Sequence, residues 1–227
     1  LAGKFKLGGL LFDIGNYEME FAHDLDFPSP IYYEKERQES KMNETLQIIH
    51  NRRSIRAYKT EQITDAELQE IMDAAIMAPS AANLQKWHFT VIQNQDLLDR
   101  MVGDIVEAFK KTGNKQLIDR VSHPAYHTFF HAPTVIIISG EENYTYAPSD
   151  CAAAAENILI AAESLNIGSC WIASVLPLFA SEKSEEYIRE LGIPEDYKPM
   201  CSIALGYKAD QNPSMPPRDR DVINYIK

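Results

Sequence analysis

The run from Asp150 to Leu165 constrains the fold more than any other part of this chain. Its small and apolar residues, Ala152 to Ala155, Ile158 to Ala162 and Leu165, cover nearly the whole circumference of a helix. A helix without a polar face has to be enclosed, in a core or in a subunit interface. Ser149 stands where its N-cap is expected. The flanking sequence supplies layers to enclose it. Thr134 to Ser139 is a run of β-branched residues and reads as a buried strand, and Trp87 to Ile92, Ser169 to Ser174 and Pro199 to Gly206 read as three more. Leu46, Ile49 and His50 share one face of a short helix, Thr64-Asp65-Ala66-Glu67 has the form of a capping box, and Leu68, Ile71, Met72, Ala75 and Ile76 follow at helical spacing until Pro79. Asp96 to Lys111 and Glu182 to Leu191 are two further helices, the second closed by Gly192 and Pro194. The order is mixed α and β without repeats. No Gly-x-Gly-x-x-Gly follows any strand, so a Rossmann dinucleotide domain is unsupported.

With 227 residues the chain suits one sizeable domain. Residues 1–42 differ in composition and read as an arm before a domain spanning 43–227, and Gly3 to Ile14 fits a hairpin. The chain opens on Leu1 rather than Met, which leaves room for an upstream segment. No apolar run approaches the ~18 residues of a membrane span. A net charge of -11 argues against nucleic acid as a partner. The three cysteines, Cys151, Cys170 and Cys201, form no Cys-x-x-Cys pair and sit among apolar residues, as expected of buried thiols in a reducing cytoplasm.

Against that acidic background two basic clusters stand out, Arg52-Arg53-Ser54-Ile55-Arg56 and Arg218-Asp219-Arg220. Arginine near a helix end can be simple surface charge. Guanidinium groups beside a hydroxyl are also what bidentate phosphate recognition uses, and together the clusters suit one small anion. Between them, Pro79-Ser80-Ala81-Ala82-Asn83-Leu84-Gln85-Lys86-Trp87 is a turn-rich segment whose Asn83 and Gln85 could read a flat heteroaromatic ring. His123, His127 and His131 recur at four-residue spacing and would share a helix face, but Pro124 and Pro133 interrupt the segment and nothing completes a ligand set, so no metal site is expected. No Ser, His and Asp constellation can be assigned, and the alanine-rich setting of Cys151 does not suggest an activated thiol.

Three segments together, Arg52-Arg53-Ser54-Ile55-Arg56-Ala57-Tyr58, Ala78-Pro79-Ser80-Ala81-Ala82-Asn83-Leu84-Gln85-Lys86-Trp87-His88-Phe89 and Leu205-Gly206-Tyr207-Lys208-Ala209, resemble the successive signatures of the FMN-dependent nitroreductase family, over about four-fifths of the chain. The resemblance implies an α+β fold with a central mixed, mostly antiparallel sheet flanked by helices, in an intertwined homodimer with FMN at the subunit interface. It implies that Arg52, Arg53 and Ser54, with Arg218 and Arg220, bind the phosphate and ribityl end of FMN. Arg56 would lie near flavin N1 and O2, where a fixed positive charge favours the reduced form. Pro79, Ser80, Asn83 and Gln85 would approach the ring from the other subunit, and the backbone at Ala173 and Ser174 would face N5. Because the flavin carries the chemistry, no catalytic side chain is required.

The activity implied is NAD(P)H-dependent reduction of nitroaromatics, quinones or a related small acceptor by a ping-pong mechanism. Alternatives on the same fold are a reductive dehalogenase resembling iodotyrosine deiodinase and a non-catalytic FMN-binding or storage protein. A flavin-free interaction scaffold is the third class, which the arginine pairs disfavour. Lys86 stands where the family usually has Pro, and Ser174 where it commonly has Gly. The Gly103 to His131 segment, which forms the variable wall over the flavin in the family, carries no legible specificity pattern.

Overall fold

The computed structural model describes residues 42–209 and 213–227, together with the backbone of two N-terminal strands. The chain divides into two compact units, Leu1–Asn43 and Glu44–Lys227. In the first, β1 (Lys4–Leu7) and β2 (Leu10–Asp13) form the expected antiparallel hairpin, with Leu7 opposite Leu10. The charged stretch from Glu18 to Lys41, read as part of an arm, lies outside the described residues.

The second unit is built on a four-stranded sheet in the order β3-β4-β6-β5, every neighbouring pair antiparallel. Its strands are β3 (Trp87–Ile92), β4 (Thr134–Glu141), β5 (Ile167–Ile172) and β6 (Tyr197–Tyr207). A single parallel bridge, Ser54 to Ser169, adds the arginine segment beside β5. The central strand β4 is buried on both faces, as its unbroken β-branched run requires. Val135 and Ile137 enter one core while Ile136 and Ile138 enter the other, the period-two alternation of a strand between two helical layers.

One layer holds α2 (Asp65–Ile76) and α5 (Ala147–Ser164), and α1 (Glu44–Asn51) touches α5. The other holds α3 (Gln95–Lys111), α4 (Lys115–Val121), α6 (Leu176–Phe179) and α7 (Ser184–Glu190). The capping box forms in full: Thr64 Oγ1 accepts from the Glu67 peptide N–H at 3.2 Å, and Glu67 Oε2 accepts from the Thr64 N–H at 2.8 Å. Helix α5 is enclosed as its composition demands, with Cys151, Ala154, Ala155, Ile158 and Ala162 fully buried. It begins earlier than expected, at Ala147, and Ser149 is not its cap. Pro148 occupies the first turn, where its missing N–H costs nothing, and the Ser149 hydroxyl donates back to the Tyr146 carbonyl at 2.8 Å. The strand expected over Ser169 to Ser174 runs from Ile167 to Ile172, so Ala173 and Ser174 lie just past its end. Helix α7 is shorter than the span Glu182 to Leu191, and Gly192 at φ 64° follows it as a left-handed stop.

Two glycines explain how the segment after α1 joins the sheet. Gly168 and Gly206 face each other across β5 and β6. A β-carbon on Gly168 would stand 2.9 Å from Ile55 Cγ2, and one on Gly206 would stand 2.7 Å from Pro133 Cδ and 3.1 Å from the Tyr58 ring. The missing side chains open a trough in which Ile55 and Tyr58 lie. Ile55 is buried there, its N–H donates to the Ser169 carbonyl at 2.9 Å, and the Tyr58 hydroxyl donates to the Ile55 carbonyl at 2.7 Å. Burying an isoleucine of this size stabilises by about 2 kcal/mol. Gly168→Ala is expected to destabilise the fold by about 1–3 kcal/mol through this clash. Gly103→Ala, on α3, meets no atom within 4 Å and should raise stability by up to about 1 kcal/mol. Urea unfolding of both variants measures the contrast.

Candidate active site

The trough decides where the arginine cluster stands. Ile55 occupies it, so Ser54 pairs with Ser169 and the half-buried Arg52 and Arg53 are held where α1 gives way to this bridge. Arg53 Nη1 donates to the carbonyls of His50 and Arg52, both at 2.7 Å, which fixes the guanidinium on the end of α1. Its Nε is buried and has no hydrogen-bond partner. A buried guanidinium N–H that is left unsatisfied is costly, and an anionic oxygen supplies the partner it lacks. Arg56 is exposed, with Nη1 3.4 Å from the Ser54 carbonyl and Cζ 5.7 Å from the centre of the Phe130 ring. Beneath them, burial pushes the Cys170 thiol up, while Arg56, Ser54 and Arg52 pull it the other way, so the positive field reaches β5.

Ala173 and Ser174 follow β5 along the same edge of the sheet. Ser174 is not among the residues with positive φ, so its backbone tolerates a side chain where the family pattern has glycine. Arg218 and Arg220 lie in the exposed C-terminal segment 213–227, which forms no helix or strand.

The Pro79 to Gln85 loop is elsewhere. It enters β3, the other edge of the sheet, and does so at the end where Trp87 faces Gly140. Ser54 is level with Leu205 and Thr134, near the opposite end of the strands. Four strand spacings, counting the bridge from β5 to Ser54, and six residues of β4 separate the two positions, about 19 Å across and about 20 Å along. One chain therefore brings Arg52, Arg53, Ser54, Arg56, Ala173 and Ser174 to one edge, and leaves Pro79, Ser80, Asn83 and Gln85 at the other edge, diagonally across from Ser54.

That loop is held in an uncommon shape. Ala82, Asn83 and Gln85 have φ of 52°, 55° and 51°. The Gln85 N–H donates to Ser80 Oγ at 3.1 Å, and Gln85 Nε2 donates to Asn83 Oδ1 at 3.2 Å. The loop is tied to α5 through Asp150, whose carboxylate accepts from the Ala81 N–H at 3.2 and 3.3 Å. Tyr144 adds a hydrogen bond to the Ala81 carbonyl. Sequence reasoning passed over Asp150, although a lone acid at the buried start of an alanine-rich helix was a legible sign. Lys86 does not disturb the loop: its Nζ pairs with Glu141 at 2.7 Å and lies 5.0 Å from the centre of the Tyr144 ring.

The wall segment departs from the expected helix face. Helix α4 ends at Val121, so His123, His127 and His131 lie in irregular chain beyond it, where Phe130 and His131 adopt φ of 54° and 55°. His127 organises the wall. It is buried, and its Nδ1 accepts from the N–H groups of Phe129 and His131 at 3.2 and 3.1 Å. The ring proton is therefore on Nε2, which faces Asp99 Oδ1 of α3 at 3.3 Å. Burial holds this imidazole below its ordinary pKa, against the pull of Asp99. Asp99 is itself held low, by a hydrogen bond from Gln95 first and by His127 second. Together with Arg56 and α4, the wall encloses a cleft of about 500 Å³.

The fold is α+β, an antiparallel sheet between two helical layers with an arginine cluster along one edge. The sequence pattern of the nitroreductase family matches residues 49–207, and the chain belongs to that family. It is 36% identical over 176 residues to an Archaeoglobus fulgidus protein named NADH dehydrogenase/NAD(P)H nitroreductase, covering 75% of this chain and 88% of that one. Among solved structures, a nitroreductase with bound FMN from Bacteroides fragilis is similar with TM-score 0.78 and 36% identity, covering 82% of this chain and all (100%) of that one. A second nitroreductase with bound FMN, from Desulfitobacterium hafniense, gives TM-score 0.77 and 33% identity over 82% of this chain and 100% of its own.

The wall has a measurable signature. The folded protein holds the His127 imidazole neutral more firmly than the unfolded chain does. The stability this confers is present above the ordinary pKa of about 6.5 and is lost as pH falls toward the lower folded value. His127→Leu should destabilise by about 2–4 kcal/mol at neutral pH, because two N–H groups lose their acceptor. The gap between variant and wild type should narrow below about pH 6.5. Denaturant unfolding from pH 8 to 5 reads this, and a pH-independent gap would contradict it.

Proposed function

We propose that this chain is an FMN-dependent oxidoreductase that uses NAD(P)H to reduce nitroaromatics, quinones or a related small acceptor, in a ping-pong cycle and as a homodimer. The observation that carries the reading is the Arg53 guanidinium, pinned by two carbonyls with a buried Nε that lacks a partner. The residues present suit the cofactor. Arg52, Arg53 and Ser54 would hold its phosphate and ribityl end, joined by Arg218 and Arg220 from the C-terminal segment. Arg56 places a permanent positive charge where the ring gains negative charge on reduction. The peptide groups at Ala173 and Ser174 would face N5. Bound there, FMN would supply two-electron chemistry between NAD(P)H and the acceptor.

The diagonal separation of the two halves of the site favours two copies. Pro79, Ser80, Asn83 and Gln85 reach the ring only when a second chain brings its loop to the first chain's arginine edge. Exposed apolar residues support such a pairing: Leu46 and Ile49 on α1, and Val222, Ile223, Tyr225 and Ile226 near the C-terminus. Residues 43–227 act as the FMN-binding domain, with 1–42 as an arm. Cys151, Cys170 and Cys201 are free and buried, which suits a cytoplasmic enzyme. Among the described residues no helix is long and apolar enough to cross a membrane.

The visible spectrum of the protein, reconstituted with FMN where needed, tests the reading. A bound-flavin spectrum should bleach on anaerobic addition of NADH or NADPH. Bound flavin that stays oxidised would favour storage, and no flavin binding would defeat the assignment. Arg53→Ala should weaken FMN binding by about tenfold or more, equivalent to ~1.4 kcal/mol. Co-expression of that variant with an Asn83→Ala/Gln85→Ala chain should return about one fully native site in four, since half of randomly paired dimers carry one intact composite site. Recovery of none would place both halves of the site within one chain.

A further inference from the structure

The cleft between Arg56 and the wall segment carries chemistry that flavin binding alone does not use. Arg120, on α4, places its Cζ 5.9 Å from the centre of the Tyr126 ring, as Arg56 does at 5.7 Å over Phe130. An aromatic face steadies a guanidinium while leaving its N–H edge open for an anion. Among the described residues neither Arg56 nor Arg120 is paired with a carboxylate. The one acid among the lining residues, Asp119, is met by Lys115 at 3.5 Å.

A third donor lines the same cleft. His123 Nδ1 accepts from the Ala125 N–H at 3.2 Å, which leaves a proton on its Nε2. The wall that carries these groups is fixed by His127, which accepts from two of its peptide N–H groups, so the donors are arranged before a ligand arrives. A cleft with two uncompensated guanidinium groups is out of keeping with a chain of net charge -11, unless the charge serves a ligand. The volume, about 500 Å³, admits a single aromatic ring with substituents.

We propose that this cleft selects a planar aromatic acceptor bearing an anionic group, a carboxylate or sulfonate, with Arg120 and His123 holding the anion and Tyr126 and Phe130 flanking the ring. Arg120 and His123 determine which acceptors bind; they take no part in electron transfer. The inference rests on the flavin reading, because Arg56 is common to both sites.

The test compares 4-nitrobenzoate with its neutral isostere 4-nitrobenzamide. Calorimetric titration of the oxidised protein without a reductant reads binding alone, so the cleft can be judged with or without bound FMN. The wild type should bind the carboxylate about tenfold or more tightly than the amide. Arg120→Gln should remove most of that preference, and Arg120→Glu should reverse it. The ratio of kcat/KM for the two acceptors, measured with NADH as donor, should follow the same order. Equal binding of the two compounds by the wild type, or a preference that Arg120 substitutions leave intact, would overturn the proposal. So would an Arg120→Gln variant whose only change is a raised KM for NADPH, which would assign the cleft to a donor phosphate. Selectivity without flavin binding would sink the proposed function alone, and intact flavin reduction without selectivity would sink the cleft alone.

Discussion

The docking of Ile55 into the glycine trough of β5 and β6 is the contact on which the site depends. Gly168 and Gly206 are paired across the two strands, and a β-carbon at either would come within 3 Å of its neighbour. Their absence lets a segment without regular structure pack as closely as a strand would. The Ile55 N–H to Ser169 carbonyl bond then sets the register of everything around it. Arg53 falls back on the end of α1, and Arg56 projects toward Phe130. The arginines are positioned by neutral packing, so their charge remains available to a ligand.

A second constraint comes from the sheet itself. An antiparallel order of β3-β4-β6-β5 places first and last strands at the edges, and the Pro79–Gln85 loop and the arginine segment are attached to those edges. No local rearrangement brings them together, because β4 and β6 between them are filled with buried side chains on both faces. The same topology leaves α1 and the C-terminal segment with exposed apolar residues. A second copy of the chain, as proposed above, would answer both problems at once, since an interface that covers the apolar surface could carry the loop to the arginines.

Much of the fold was legible because it depends on periodicity. The β-branched run at β4, the capping box at α2 and the enclosed helix α5 each have one physical solution. The arginine cluster and the loop before Trp87 were legible as motifs, and the first proves to be anchored to β5. What failed was local and long-range at once. The spacing of His123, His127 and His131 suggests a helix face, but the contacts that decide the matter come from Asp99, which is 28 residues from His127 in sequence. Ser149 looked like a cap because a hydroxyl before an alanine run usually is one. Pro148 starts the helix earlier, and Asp150 is used instead to hold a loop 69 residues away.

Backbone strain marks the same two places. Of the six non-glycine residues with positive φ among the described residues, Ala82, Asn83 and Gln85 belong to the loop, Phe130 and His131 to the wall, and Asn166 alone lies in an ordinary turn. Asparagine tolerates this conformation, but alanine, glutamine, phenylalanine and histidine there cost about 1 kcal/mol or more each. Each strained stretch is held by a side chain that accepts a peptide N–H within it: Ser80 for Gln85, Asp150 for Ala81, and His127 for Phe129 and His131. These acceptors are drawn from polar residues that a purely structural turn would not need in such number. Such strain is kept where the surroundings over-determine a shape that serves a ligand. Its concentration in the loop and the wall, with none in the segment from Arg52 to Tyr58, means that the arginines stand on a relaxed backbone while the loop and the wall are bent and held in shape by their acceptors.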